Sequence, residues 1–137
     1  MQTKEVKAFK KELENYKFYL SRIESLNKLI DYCYHLLGGV TAIDPSKEPV
    51  KGGTPNKDRE YKIRDEISHH EKNKALTQAK IDYIDEILGK IEDAPKKLII
   101  DVLIEGKSQR AVAIKNYMSK TSVKYQIDKN LEKALKD

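Results

Sequence analysis

Near its C-terminus the chain carries eight side chains that could bind a phosphate-rich ligand. They are basic, hydroxyl-bearing or aromatic, and they fall within one short segment: Lys107, Arg110, Lys120, Thr121, Ser122, Lys124, Tyr125 and Lys129. Ammonium and guanidinium groups bond phosphate oxygens, whereas hydroxyl groups reach either phosphates or the edges of bases. Taken together with the local charge and with the spacing and caps of the two helices described below, these residue types favour double-stranded DNA as the ligand. A helical surface with solvated lysines is the other interpretation.

The net charge of +5 arises entirely at the end of the chain. Residues 95–137 contain ten Lys and Arg against five Asp and Glu, while residues 1–94 contain seventeen of each. A local basic excess attracts polyanions and releases their counterions. The charge distribution therefore places the binding of a polyanion in the same segment as the residue types do.

Two short helices are predicted to hold these side chains. Ser108 is a suitable N-cap for a helix over 109–116, and Ser119 for a helix over 120–135. About three residues separate the two, which is the spacing of a helix-turn-helix. At about 100° per residue, one side of the second helix is apolar and the other carries the hydroxyl groups and Tyr125. The apolar positions are Val123, Ile127, Leu131, Ala134 and Leu135.

The rest of the chain is also predicted to be helical, which gives an all-α fold. Apolar residues recur at alternating intervals of three and four from Val6 to Leu37, with Asn27 in the series, and this spacing is a heptad seam. Gly38 and Gly39 are expected to end this helix. Residues 38–57 hold four of the six Gly and three of the four Pro, which indicates a loop. A second long helix is predicted over 58–91.

The long helices could be arranged in two ways. They could form an antiparallel hairpin within one chain, or the first could form a coiled-coil homodimer, and both could occur together. Residues 1–93 are therefore predicted to be a hairpin or an oligomerisation domain. Residues 94–137 are predicted to be a helix-turn-helix unit that begins at the break around Pro95.

Signals for catalysis and for metal binding are weak. Glu66 and His70 share a helix face next to His69, but a metal site needs three or four converging ligands, and His35 is far away in sequence. We expect a solvated helix face there and neither a metal nor a cofactor. Cys33 lies among apolar residues with no base placed near it, so we expect it to pack rather than react. We expect no enzyme.

The sequence also predicts a cellular location. Cys33 is the only cysteine, which excludes an intrachain disulfide and favours a reducing compartment. No apolar run reaches the roughly 18 residues that span a bilayer, and the N-terminus lacks an apolar signal core. We expect a cytoplasmic protein that does not enter a membrane.

The segment from Lys97 to Leu135 resembles the region-4 helix-turn-helix of sigma-70-type factors. The matching pieces are Glu105-Gly106, Ser108, Val112-Ala113, Met118-Ser119, Val123-Lys124 and Leu131. The layout of the whole chain is similar to that of the RinA/ArpU-like late-gene transcriptional activators of phages and prophages of Gram-positive bacteria. Over the first 94 residues this resemblance concerns the architecture alone. The sequence departs from region 4 before the turn, where an apolar residue and Gly are usual. Here Asn116 is expected to provide the left-handed backbone.

The resemblance implies a sequence-specific DNA-binding transcriptional regulator in a bacterial host cell, acting near a promoter with RNA polymerase. Carried over by position, the second helix would contact DNA through Thr121, Ser122, Lys124 and Tyr125. Lys107 and Arg110 would contact phosphates near the first helix.

Two other functions are compatible with the sequence. The heptad seam and the neutral N-terminal part fit a coiled-coil interaction protein that binds a host or phage protein without DNA. A small DNA-packaging subunit of the terminase type also uses a helix-turn-helix, and it would assemble as a ring of many subunits.

Overall fold

The protein is described by a computed structural model that covers residues 3–41 and 54–136, with side chains for residues 3–38 and 57–136. Within those ranges there are six α-helices, one π-helical segment and no β-strand, so the predicted all-α class is confirmed. The elements are α1 (Lys4–Glu14), α2 (Tyr16–Thr41), α3 (Thr54–Gly89), α4 (Asp93–Ile99), the π-helical segment (Ile100–Ile104), α5 (Gln109–Lys115) and α6 (Lys120–Lys136).

The predicted first helix differs from the structure in two places. The backbone leaves the helical path at Asn15, whose N–H bonds the carbonyls of Lys11 and Glu12 at 3.2 and 3.1 Å. After this break the buried stripe shifts, and Asn27 is exposed in the single chain. The expected stop at Gly38 is wrong, because α2 continues to Thr41. Of the predicted loop over 38–57, residues 42–53 lie outside the described residues.

The chain divides into two compact units. The first contains the described residues 3–20 and 79–136, so α1 belongs to the same unit as α4, α5 and α6. The second is Ser21–Gln78 and contains most of α2 and of α3. The unit with the C-terminal helices therefore also includes residues 3–20. The predicted division between residues 93 and 94 stays a prediction.

The second unit is held by a small apolar core between α2 and α3. Cys33 and Leu37 of α2 are buried together with Ile63 and Ile67 of α3, and Leu36 packs against them. Thr77, which is also buried, donates its hydroxyl hydrogen to a backbone carbonyl one turn earlier, over 2.9 Å.

The first unit has the larger core, to which every one of its helices contributes. Leu13, Ile84, Ile99 and Leu131 are among its fully buried side chains. Burial of one such side chain contributes about 2 kcal/mol, and truncating Leu131 to Ala would cost about 2–5 kcal/mol. In this unit α1 lies against α6 and the π-helical segment.

The helix before the basic segment ends in the π-helical segment, which Gly106 follows closely. Glu105 N–H bonds the carbonyl of Ile100 over 2.8 Å, which is the i to i+5 pattern of a π-helix. Gly106 then takes a φ of +74°, a conformation that glycine adopts without a Cβ penalty. This turn allows Lys107 N–H to bond the carbonyl of Asp101 over 2.9 Å. The chain is thereby redirected into α5.

Candidate nucleic-acid interface

The start of α5 is fixed by the predicted serine cap. The Ser108 hydroxyl oxygen accepts a hydrogen bond from the N–H of Ala111 over 3.0 Å, while Ser108 itself is extended. Val112 and Ala113 form the inward side of α5 and are buried at 2% and 4% exposure. The other face of α5 therefore remains available to a ligand.

Four residues, 116–119, connect α5 to α6, and they turn the chain through one left-handed residue. That residue is Tyr117, with a φ of +56°, and the expectation for Asn116 is wrong. The Asn116 side-chain amide instead donates to the carbonyl of Val112 over 2.8 Å. Met118 N–H bonds the carbonyl of Ala113 over 2.9 Å. The Tyr117 side chain is 98% exposed, so the turn projects an aromatic ring into solvent.

The second helix, α6, begins directly after its predicted cap, Ser119. Its hydroxyl oxygen accepts a hydrogen bond from the N–H of Ser122 over 3.0 Å. The predicted apolar side is buried at Val123, Ile127, Leu131 and Ala134, and it is half-buried at Leu135. The helical periodicity of the sequence therefore correctly predicts which side of α6 faces the core.

The opposite side of α6 presents the predicted hydroxyl groups and lysines. Thr121, Lys124 and Tyr125 are exposed, and Ser122 is half-buried. The Tyr125 ring is 59% exposed, and the ammonium group of Lys129 lies 5.7 Å from its centroid, which is a cation–π contact. This contact holds a positive charge over one face of an exposed aromatic ring.

The three remaining predicted residues differ in whether they form an ion pair within the protein. Arg110 and Lys120 are exposed. The ammonium group of Lys107 lies 3.7 Å from a carboxylate oxygen of Asp101, a residue that is only 7% exposed. Lys107 therefore balances a buried charge as well as facing solvent.

The segment from residue 107 to residue 129 keeps its basic excess in the fold. It contains six Lys and Arg and one acidic residue, Asp128, a difference of five. Asp128 is paired with Lys10 of α1, and both side chains are mostly buried. The only carboxylate of the segment is thus compensated by a lysine from outside it. Sequence reasoning missed Lys10, because 118 residues separate the partners and no local pattern connects them.

A cleft of about 270 Å³ extends the basic surface along α6. It is lined by three lysines, Lys90, Lys129 and Lys133, and by one carboxylate residue, Glu92. The Asn130 amide in its wall donates to the carbonyl of Gln126 over 2.7 Å. Because Lys129 also contacts Tyr125, the cleft is continuous with the exposed face of the helix.

Comparison with known proteins yields no relative. No protein-family model matches the chain, and neither a curated protein nor a solved structure shows significant similarity to it. Among the helices in the described ranges, none combines the length and the apolar character needed to cross a bilayer.

Proposed function

We propose that the protein is a sequence-specific DNA-binding transcriptional regulator whose reading element is the N-terminal half of α6. One observation carries the proposal. The segment from residue 107 to residue 129 has six basic side chains, its single carboxylate is paired with Lys10, and hydroxyl and aromatic groups are interspersed among the lysines. On such a surface, the lysines can bond the phosphates of a duplex while the hydroxyl and aromatic groups contact base edges.

In this proposal α5 and α6 act as a helix-turn-helix. The start of α6 enters the major groove, where Thr121, Ser122 and Tyr125 contact base edges. Lys120 and Lys124 flank them and bond phosphates, and the free N–H groups of the first turn of α6 add to the attraction. Arg110 at the start of α5 contacts the backbone of the duplex.

The regulatory part of the proposal comes from the resemblance to RinA/ArpU-like activators. It implies a phage or prophage late-gene activator that binds near a promoter and contacts RNA polymerase in the bacterial cytoplasm. If the protein acts as a homodimer through its long helices, it would read two half-sites about 34 Å apart or a multiple of that distance.

A selection from random duplexes followed by binding measurements tests the proposal. The full-length protein is first used to enrich bound sequences. Affinities for an enriched site and for a scrambled site are then measured by fluorescence anisotropy. We expect Tyr125→Ala to lower affinity for the enriched site by about tenfold, which is the size of one lost base contact, and to change binding to the scrambled site little.

Lys124→Ala provides the complementary measurement. Because phosphates are common to all sequences, this variant should weaken binding to both sites and lower the magnitude of the salt slope by about one. The matched controls are Tyr61→Ala and Lys72→Ala, exposed residues of the second unit. Losses equal to those of the controls would exclude α6 as the reading element. Lys107 is unsuitable as a probe, because its removal also leaves Asp101 without its ionic partner.

A coiled-coil interaction protein that does not bind DNA is the second candidate function. It is favoured by large apolar side chains of α2 that are exposed in the single chain, namely Leu29, Tyr32 and Tyr34. Such side chains are compatible with a protein partner or a second copy. A stoichiometric protein partner, together with no retention on heparin or DNA at low salt, would favour this function over the first.

A further inference from the structure

Three residues of the second unit bring metal-ligand atoms together from two helices. Cys33 of α2 lies beside Glu66 and His70 of α3, and one ligand atom from each residue lies within 4.8 Å of the other two. Glu66 and His70 share a helix face because they are four residues apart. Cys33 reaches the same place from the opposite helix, which the sequence spacing does not reveal.

The geometry of the Glu66–His70 pair fits shared coordination better than a hydrogen bond. The carboxylate oxygen and the His70 Nε2 atom are 3.5 Å apart. The Nε2 atom is buried, yet it has no hydrogen-bond partner. Two ligand atoms on a tetrahedral Zn²⁺ with ordinary bond lengths are about 3.4 Å apart. A metal ion would therefore satisfy the buried nitrogen with little movement of α3.

From this cluster we infer that Cys33, Glu66 and His70 bind a borderline-soft divalent cation of the Zn²⁺ class. The thiolate and the imidazole select Zn²⁺ over Mg²⁺ and Ca²⁺, which prefer oxygen ligands. On binding, the thiol proton passes to solvent as the metal–sulfur bond forms. One thiolate and one carboxylate balance the two charges of the ion, and a water molecule completes the tetrahedron on the exposed Glu66 side.

The site would clamp α2 to α3 next to the apolar core of the second unit. Cys33 itself belongs to that core, together with Leu37, Ile63 and Ile67. Metal binding would therefore stabilise this helix pair in a concentration-dependent way. The inference is independent of DNA binding, which we assign to α5 and α6.

Cobalt(II) titration of the full-length protein tests the site directly. The protein is freed of metal and kept reduced with a reductant that does not chelate. One equivalent of Co²⁺ should produce a thiolate-to-cobalt charge-transfer band and the intense visible bands of tetrahedral cobalt, and Zn²⁺ should displace it. Zn²⁺ should also raise the midpoint of thermal unfolding.

Substitutions assign the ligands. Cys33→Ser should abolish the charge-transfer band, and His70→Gln should weaken Co²⁺ binding roughly tenfold or more. His69→Gln and Asp65→Asn are matched controls, because both residues are exposed neighbours outside the cluster, and they should leave binding unchanged. Circular dichroism verifies the folding of each variant. If Cys33→Ser does not fold, the comparison of His70→Gln with His69→Gln decides the question. Absence of the band in the wild-type protein, or equal weakening by His69→Gln, would overturn the inference.

Discussion

Replacing Tyr117 by glycine should stabilise the protein, although tyrosine is much the larger residue. Tyr117 adopts a left-handed conformation with a φ of +56°, which costs a residue with a Cβ atom about 1–2 kcal/mol. Its side chain is 98% exposed, so truncation removes almost no packing. Glycine loses more backbone entropy on folding, which offsets about 0.5–1 kcal/mol of the gain. The net expectation is a stabilisation of about 0.5–1 kcal/mol.

Thermal unfolding followed by circular dichroism measures this effect, which corresponds to an increase of about 2–4 °C in the midpoint. The matched control is Tyr117→Ala, which removes the ring but keeps the Cβ atom, and it should change the midpoint little. Tyr117→Asn should fall between the two, because asparagine tolerates left-handed backbone. Equal stabilisation by alanine and glycine would refute the reasoning, since the gain would then come from removal of the ring.

Three further predictions concern the same compact unit. Ser108→Ala removes the hydroxyl cap of α5 and should lower the free energy of unfolding by about 1 kcal/mol in denaturant titrations. Burial, followed by a hydrogen bond to Asp85, raises the pKa of Tyr16 above its unfolded value of about 10. Stability should therefore be intact below that pH and fall as the pH rises through the folded value, and Tyr16→Phe should flatten this fall in pH-dependent thermal unfolding. Lys10→Met leaves Asp128 as an uncompensated carboxylate near the basic surface, so anisotropy should show weaker DNA binding, whereas Asp128→Asn should strengthen it. A loss of affinity in both variants would contradict the charge argument.

Local chemistry made much of the candidate site predictable. The caps at Ser108 and Ser119 depend on a hydroxyl group three residues before a backbone N–H, and the buried side of α6 depends on helical periodicity. Such signals lie within one or two turns of helix.

Features that depend on tertiary structure were not predictable. The break at Asn15 interrupts an apolar series that by itself favours one continuous helix. The pairing of Lys10 with Asp128 and the approach of Cys33 to His70 depend on which helices meet and in what register. The left-handed residue is Tyr117 rather than Asn116, because the hydrogen bonds of the α5 terminus fix its position despite the local preference of asparagine.

The salt dependence of DNA affinity tests the central claim most directly. Binding of the purified full-length protein to duplex DNA is measured by anisotropy from low to moderate salt. The three phosphate contacts proposed for Arg110, Lys120 and Lys124 predict that the logarithm of the association constant falls linearly with the logarithm of the salt concentration, with a slope of about −3. No detectable binding at low salt, or a slope near zero, would contradict the account.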